Sequence, residues 1–104
     1  MSKVHVLLCP QDLYSGLVRV RLKPTEFLNW VETYRPEYIR THSFAVDKQD
    51  PIEAAEEVFD ITNNPSRQDE CVEIYGCHRP VNVGDIVVVD GTPFLCENIG
   101  WTAI

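Results

Sequence analysis

The sequence lacks an apolar run long enough to cross a bilayer, and it is poor in basic residues. Nine lysines and arginines are outnumbered by sixteen aspartates and glutamates, which gives the 104 residues a net charge of −7. Non-specific nucleic-acid binding depends on basic charge, so attraction of the whole surface to phosphate is not expected. The N-terminus also lacks the basic leader and extended apolar region of a signal peptide. We therefore expect a cytoplasmic protein without a membrane segment.

The sequence contains no G-x-G-x-x-G, Walker or H-E-x-x-H motif, so it indicates no nucleotide-cofactor or metalloprotease chemistry. The four cysteines Cys9, Cys71, Cys77 and Cys96 do not form the paired C-x₂₋₄-C knuckles of a zinc site. Because cytosolic thiols stay reduced, we expect free, metal-free cysteines and no cofactor. A convergence of Cys77, His78 and Cys96 in space would change that expectation.

Alternation of apolar and polar side chains predicts several strands. Lys3–Cys9 alternates and ends at a proline, Tyr38–Val46 is also strand-like, and Leu17–Leu22 places Arg19 and Arg21 on one face. This period of two is typical of a half-buried strand. The two arginines would then form a small cationic patch suited to phosphate contact.

Three segments have the apolar spacing of helices. The first opens at Lys23-Pro24, where proline suits a helix start, and the second covers Ile52–Asp60 with Asp50 as its N-cap. The third covers Arg67–Tyr75 and ends before a glycine. The second helix is expected to bury Phe59 and to expose its glutamates.

The most informative segment is the C-terminal third, in which Asp90-Gly91 separates two apolar runs. An Asp-Gly pair in this position predicts a tight hairpin between Ile86–Asp90 and Thr92–Cys96. The elements together predict one α+β domain spanning residues 1–104. Its sheet is expected to be curved and mostly antiparallel, or a half-open small barrel, packed by two or three helices. Trp101, near the chain end, would cap the barrel mouth or stack on a ligand.

The run Asn63-Asn64-Pro65-Ser66-Arg67 is the most unusual polar segment and permits two interpretations. Side-chain amides near a helix N-terminus present donors to an anion or a base edge. The same residue types are also those that caps and turns require. If the run is a structural junction, its polar groups should be consumed internally; if it is a contact surface, Arg67 and one amide should point to solvent.

The second half of the chain contains a combination of motifs. D-x-T-N-N-P-S-R lies within Ala55–Gln68, V-G-D-x-V-x-V-D-G ends at Gly91, and Tyr75-Gly76, Leu95-Cys96 and Gly100-Trp101 complete the set. In this half the sequence resembles the YodL-like domain. Such domains occur in Gram-positive bacteria, their phages and conjugative elements, sometimes beside antirestriction modules. The resemblance implies a setting in mobile DNA, but no activity that transfers residue by residue.

We favour a non-enzymatic binding module of a phage or mobile element that contacts a protein or nucleic-acid partner. The expected contact residues are Asn63, Asn64, Ser66, Arg67 and Trp101, with Arg19 and Arg21 as second choices for phosphate. One alternative is an acidic, DNA-mimicking or antirestriction-type inhibitor that uses Glu53, Glu56, Glu57, Asp69, Glu70 and Glu73. Another is a small nucleotide-acting enzyme with Cys77, His78 and Asp85 near a cleft. The sequence leaves the oligomeric state open.

Overall fold

A computed structural model describes every residue of the chain except Cys77. Its strands are β1 (Ser2–Leu8), β2 (Ile39–Arg40), β3 (Phe44–Val46), β4 (Ile86–Val89), β5 (Thr92–Cys96) and β6 (Trp101–Ala103). Its α-helices are α1 (Tyr14–Val20), α2 (Pro24–Tyr34), α3 (Pro51–Asn63) and α4 (Gln68–Ile74). Short 3₁₀ turns at Gln11–Leu13, Arg35–Glu37 and Pro65–Arg67 adjoin α1, α2 and α4. Among the described residues, no helix has the length and apolarity that a membrane span requires.

The six strands form one sheet in which every pair is antiparallel. The order is β2-β1-β4-β5-β6, and β3 pairs with the first half of β1. The sheet is open and curved, so β6 forms one edge and β2 with β3 the other. This confirms the predicted α+β class, and of the two expected shapes the open curved sheet is the one observed.

Helices cover both faces of this sheet. Val87 and Val89 of β4 face α3 and α4, whereas Ile86 and Val88 face α1 and α2. Successive side chains of a strand point to opposite faces, which is why all four residues of β4 are buried. Burial on both faces explains the continuous apolar run in this part of the sequence.

The strand predicted over Leu17–Leu22 is wrong, because its first part belongs to α1. Leu17 and Val20 pack into the core with α2, while Val18 and Leu22 are 49% and 76% exposed. The apolar positions therefore follow helical spacing, and the apparent alternation arises from exposed side chains. The helix also adds a fourth helix to the two or three expected.

This helix changes the position of the predicted cationic patch. Arg19 and Arg21 are exposed, but residues two apart on a helix lie about 200° apart around its axis. They therefore do not share the single face that a strand would have given them. The shared strand face is therefore lost as its basis, and phosphate contact by Arg19 and Arg21 stays a prediction.

Two local predictions are confirmed. The carboxylate of Asp50 accepts a hydrogen bond from the Glu53 N–H at 3.1 Å and so caps α3. Val89 pairs with Thr92, so β4 and β5 form a hairpin with a two-residue turn at Asp90-Gly91. Both turn residues have positive φ, 47° and 87°, as a primed turn requires.

Candidate functional site

The junction between α3 and α4 carries the motif D-x-T-N-N-P-S-R, and its polar side chains other than Ser66 bond internally. The Asn63 side-chain amide donates to the carbonyls of Phe59 and Val81 at 3.0 and 2.9 Å. The Thr62 hydroxyl accepts a hydrogen bond from the Val81 N–H at 3.2 Å. Thr62 and Asn63 therefore bind the end of α3 to the loop that precedes β4.

Asn64 begins the 3₁₀ turn that leads into α4. Its side-chain oxygen accepts a hydrogen bond from the Ser66 N–H at 3.0 Å, which is the geometry of a cap. Its amide nitrogen donates to Asp60 at 3.4 Å. Ser66 itself is exposed.

Arg67 lies between three carboxylates. Its guanidinium donates to Glu57, Asp60 and Glu70 at 2.9, 2.8 and 2.7 Å, and its side chain is 23% exposed. Hydrogen bonds from Arg67 lower the pKa of Glu57, and the same bonds raise the pKa of the arginine. This is the geometry predicted for a structural junction. Partner contact by Asn63, Asn64, Ser66 and Arg67 stays a prediction, and Arg67 would have to leave these carboxylates to make it.

A second polar cluster lies where β1 ends and β4 begins. Asp85 is wholly buried, and its carboxylate accepts hydrogen bonds from the backbone N–H groups of Cys9 and Asn82, both at 2.8 Å. Arg79 donates to both oxygens of Asp85 at 2.6 and 2.7 Å, and this pairing raises the pKa of the arginine. Four hydrogen bonds to groups within the fold therefore hold this carboxylate in place.

Three tyrosines surround this pair. Tyr38 donates to the Gly84 carbonyl and Tyr75 to the Arg79 carbonyl, both at 2.8 Å, and burial raises the pKa of each phenol. The guanidinium of Arg79 lies 5.5 Å from the centre of the Tyr14 ring, within cation–π distance. The cluster therefore anchors the loop before β4.

The structure describes two of the three residues suggested for an enzyme, His78 and Asp85, and the small-enzyme alternative stays a hypothesis. The centre of the exposed His78 ring lies 5.6 Å from the centre of the Tyr75 ring and 6.4 Å from that of the His42 ring. Both carboxylate oxygens of Asp85 accept hydrogen bonds from Arg79. Cys77 lies outside the described residues. Among the others, no three His, Cys, Asp or Glu side chains are grouped as metal ligands would be.

A groove lies between α3 and the turn that joins β5 to β6. Its volume is about 390 Å³, and it is lined by Glu56, Phe59, Asp60, Cys96, Glu97, Asn98, Gly100 and Trp101. We call it the acidic groove. Since α3 packs mainly on β1, β3 and β4, the β5–β6 end of the sheet extends beyond the helix and leaves this space.

An aromatic pair forms part of the acidic groove. The rings of Phe59 and Trp101 meet edge to face, with centres 6.4 Å apart and planes at 82°. Phe59 is 39% exposed, so the expectation that α3 buries it is wrong: it lies at the margin of the sheet. Trp101 is partly buried against the core, and in an open sheet it caps no barrel mouth.

Carboxylates dominate the electrostatics of the acidic groove. Glu56 is exposed on α3 and Asp60 is shared with Arg67. The Glu97 carboxylate instead accepts a hydrogen bond from the Thr102 hydroxyl on the opposite face of the sheet. A neighbouring hollow on α3 shares Glu56 and Asp60 and adds further charges. Together, the α3 side of the acidic groove, this hollow and the ion pairs of Arg67 contain five carboxylates and two cations: Glu53, Glu56, Glu57, Asp60 and Glu70, with Lys48 and Arg67.

Sequence reasoning found Trp101 and placed Glu56 among the acids of an inhibitor, but it missed Phe59, Asp60 and Glu97 as neighbours of the tryptophan. Comparisons with protein-family models, curated proteins and solved structures give no match to this chain. The resemblance to the YodL-like domain therefore rests on its sequence motifs alone.

Proposed function

We propose that the protein is a non-enzymatic binding module and that the acidic groove is its contact surface for a basic protein. The observation that carries this proposal is the aromatic pair Phe59 and Trp101, flanked by the carboxylates of Glu56 and Asp60. An aromatic ring attracts a cation to its face, and carboxylates add charge-assisted hydrogen bonds. Arginine and lysine side chains are the protein groups that meet both requirements.

The charge distribution favours a protein partner over nucleic acid. The net charge of −7 opposes phosphate, and Arg19 in α1 and Arg21 at its C-cap do not share one face. The predicted contact at Asn63 and Arg67 has its polar groups bonded internally. Trp101 is the member of the predicted contact set that this proposal retains.

The sequence motifs support a setting in a phage or other mobile element. In that setting a basic partner includes DNA-binding proteins of the host or of the element. The DNA-mimic hypothesis is a form of the same proposal, since its acid Glu56 lines the acidic groove and Glu53 lies in the hollow beside it. Two others, Glu57 and Glu70, are partly neutralised by Arg67, which leaves fewer free charges for a mimic of a phosphate row.

The test is binding of a hexa-arginine peptide, measured by titration calorimetry. Glu56→Gln removes one carboxylate of the acidic groove, and Glu73→Gln on α4 is its matched control because it removes the same charge from an exposed site outside the groove. We expect Glu56→Gln to weaken binding about three- to tenfold and Glu73→Gln to change it less than twofold. Trp101→Ala should also weaken binding, with melting measured to verify its fold.

Duplex DNA of mixed sequence should not bind the wild-type protein at the same salt concentration. Equal effects of Glu56→Gln and Glu73→Gln would show that only the net charge acts, and would contradict the acidic groove as the contact surface. Binding of duplex DNA in preference to the peptide would contradict a basic protein as the partner.

A further inference from the structure

The outer edge of β6 has backbone groups that no strand in the described part of the chain occupies, since β6 pairs only with β5. The hydrogen bonds between β5 and β6 determine which backbone groups of β6 face outward. The Glu97 N–H donates to Gly100 and the Ile104 N–H to Pro93, both at 3.1 Å. Hydrogen-bonded and non-hydrogen-bonded pairs alternate in an antiparallel ladder.

In the observed register Leu95 lies opposite Thr102, so this pair bonds across the strands and the backbone groups of Thr102 face β5. The N–H and C=O groups of Trp101 and Ala103 consequently face away from the sheet. Thr102 and Ala103 are exposed, and Trp101 is partly so. An exposed strand edge of this kind is a template for an added strand.

The same strand borders the acidic groove. Trp101 lies opposite Cys96 and Ala103 opposite Phe94, so both point to the sheet face that carries α3. A strand added beside β6 lies about 4.8 Å away, and every second side chain points to the same face. Those side chains would reach Trp101 and the carboxylate of Glu56.

We propose that the partner binds by strand addition: an extended segment with basic residues at alternate positions pairs with β6 and places its cations in the acidic groove. This inference rests on the proposed function and specifies the conformation in which the basic partner binds. Charge complementarity selects this occupant, because the α3 side of the acidic groove and the hollow beside it contain five carboxylates and two cations when the ion pairs of Arg67 are included. A second copy of this chain is disfavoured, since its own charge is −7 and β6–β6 pairing would bring two acidic grooves together.

The test uses the peptide Val-Arg-Val-Arg-Val-Arg-Val with blocked ends and the full-length chain. Ala103→Pro removes an outward N–H without cutting a bond to β5, which is a position where an edge strand tolerates proline. Ala103→Val is the matched control, because valine keeps the N–H and favours strands. We expect Ala103→Pro to weaken binding about tenfold and Ala103→Val to stay within about threefold of the wild type.

Amide hydrogen exchange gives an independent result on the wild-type protein, and it decides the question if Ala103→Pro fails to fold. Bound peptide should slow exchange of the Trp101 and Ala103 amides, while the Thr102 amide, already bonded to β5, changes less. Full binding of the heptapeptide by Ala103→Pro, or no slowing at Trp101 and Ala103, would overturn strand addition. Hexa-arginine binding that still depends on Glu56 would then leave the proposed function in place. Dimerisation of the free protein that Ala103→Pro abolishes would also overturn this inference, by showing that a second copy occupies the edge.

Discussion

Arg79 holds both carboxylate oxygens of Asp85, at 2.6 and 2.7 Å, and Asp85 is completely buried. The same carboxylate accepts the N–H of Cys9 and so joins the end of β1 to the turn before β4. A buried charge of this kind depends on its partner, because removing the partner leaves the other charge uncompensated. Asp85, in the V-G-D part of the V-G-D-x-V-x-V-D-G motif, therefore has a structural role: it fixes the turn before β4 to the end of β1.

Arg79→Met should lower the free energy of unfolding by about 2–4 kcal/mol, somewhat below the usual cost of a broken buried pair because Arg79 is one-third exposed. Urea denaturation at neutral pH measures it. Arg19→Met, which removes an exposed arginine from α1, is the control and should change stability by less than about 0.5 kcal/mol. An equally small decrease in the free energy of unfolding for Arg79→Met would show that burial of Asp85 does not depend on its ion pair with Arg79.

Asn63→Ala should lower stability by about 1–3 kcal/mol, because it leaves the carbonyl of the buried Val81 without this donor. Asn64→Ala should cost about 0.5–2 kcal/mol through loss of the cap at Ser66. Both variants should bind the arginine peptide normally at a temperature where they are folded. Asn29→Ala, at an exposed site on α2, is the control. Normal melting with lost peptide binding would instead make the junction a contact surface.

Arg67→Met should lower stability by about 1–2 kcal/mol at neutral pH, a modest value because the side chains of Asp60 and Glu70 are 52% and 45% exposed. Arg67 lowers the pKa of Glu57 below its ordinary 4.5. A carboxylate whose pKa is lower in the folded chain stabilises the fold above its unfolded pKa, and this contribution is lost as the pH falls through the folded pKa.

The stability difference between wild type and Arg67→Met should therefore be constant near neutral pH and shrink below about pH 4.5. Urea denaturation of both proteins over a pH series measures this difference. Arg67→Lys keeps the positive charge and should retain part of the stability that Arg67→Met loses. A difference that does not change on acidification would contradict the ion pairs at Glu57, Asp60 and Glu70.

Cys9, Cys71 and Cys96 are buried, and burial raises the pKa of each thiol, for Cys96 to about 12. Because the thiolate is the reactive form, these residues should react slowly with a thiol reagent at pH 8 in the native protein and fully after denaturation. Peptide mass mapping identifies the modified positions. Rapid native labelling of Cys96, or stoichiometric zinc by elemental analysis, would contradict this environment.

The hairpin and the start of α3 could be predicted because their signals are local: Asp90-Gly91 supplies two residues with positive φ, and Asp50 caps its own helix. The strand predicted over Leu17–Leu22 was wrong because a short run of apolar residues can fit both the helical and the period-two pattern. Packing of this segment against α2 selects the helix. The acidic groove could not be predicted, because it depends on where α3 crosses the sheet. That crossing places Phe59 beside Trp101, far away in sequence.

The most direct measurement is a ¹H–¹⁵N NMR titration of the wild-type protein with the hexa-arginine peptide, which reports every backbone amide and the indole N–H groups of Trp30 and Trp101. Binding at the acidic groove predicts the largest shifts at Phe59, Gly100 and the Trp101 indole. The Trp30 indole, packed against α1 on the other face of the sheet, should hardly move. Shifts centred on α1 and α2, or no shifts at saturating peptide, would contradict the acidic groove as the contact surface.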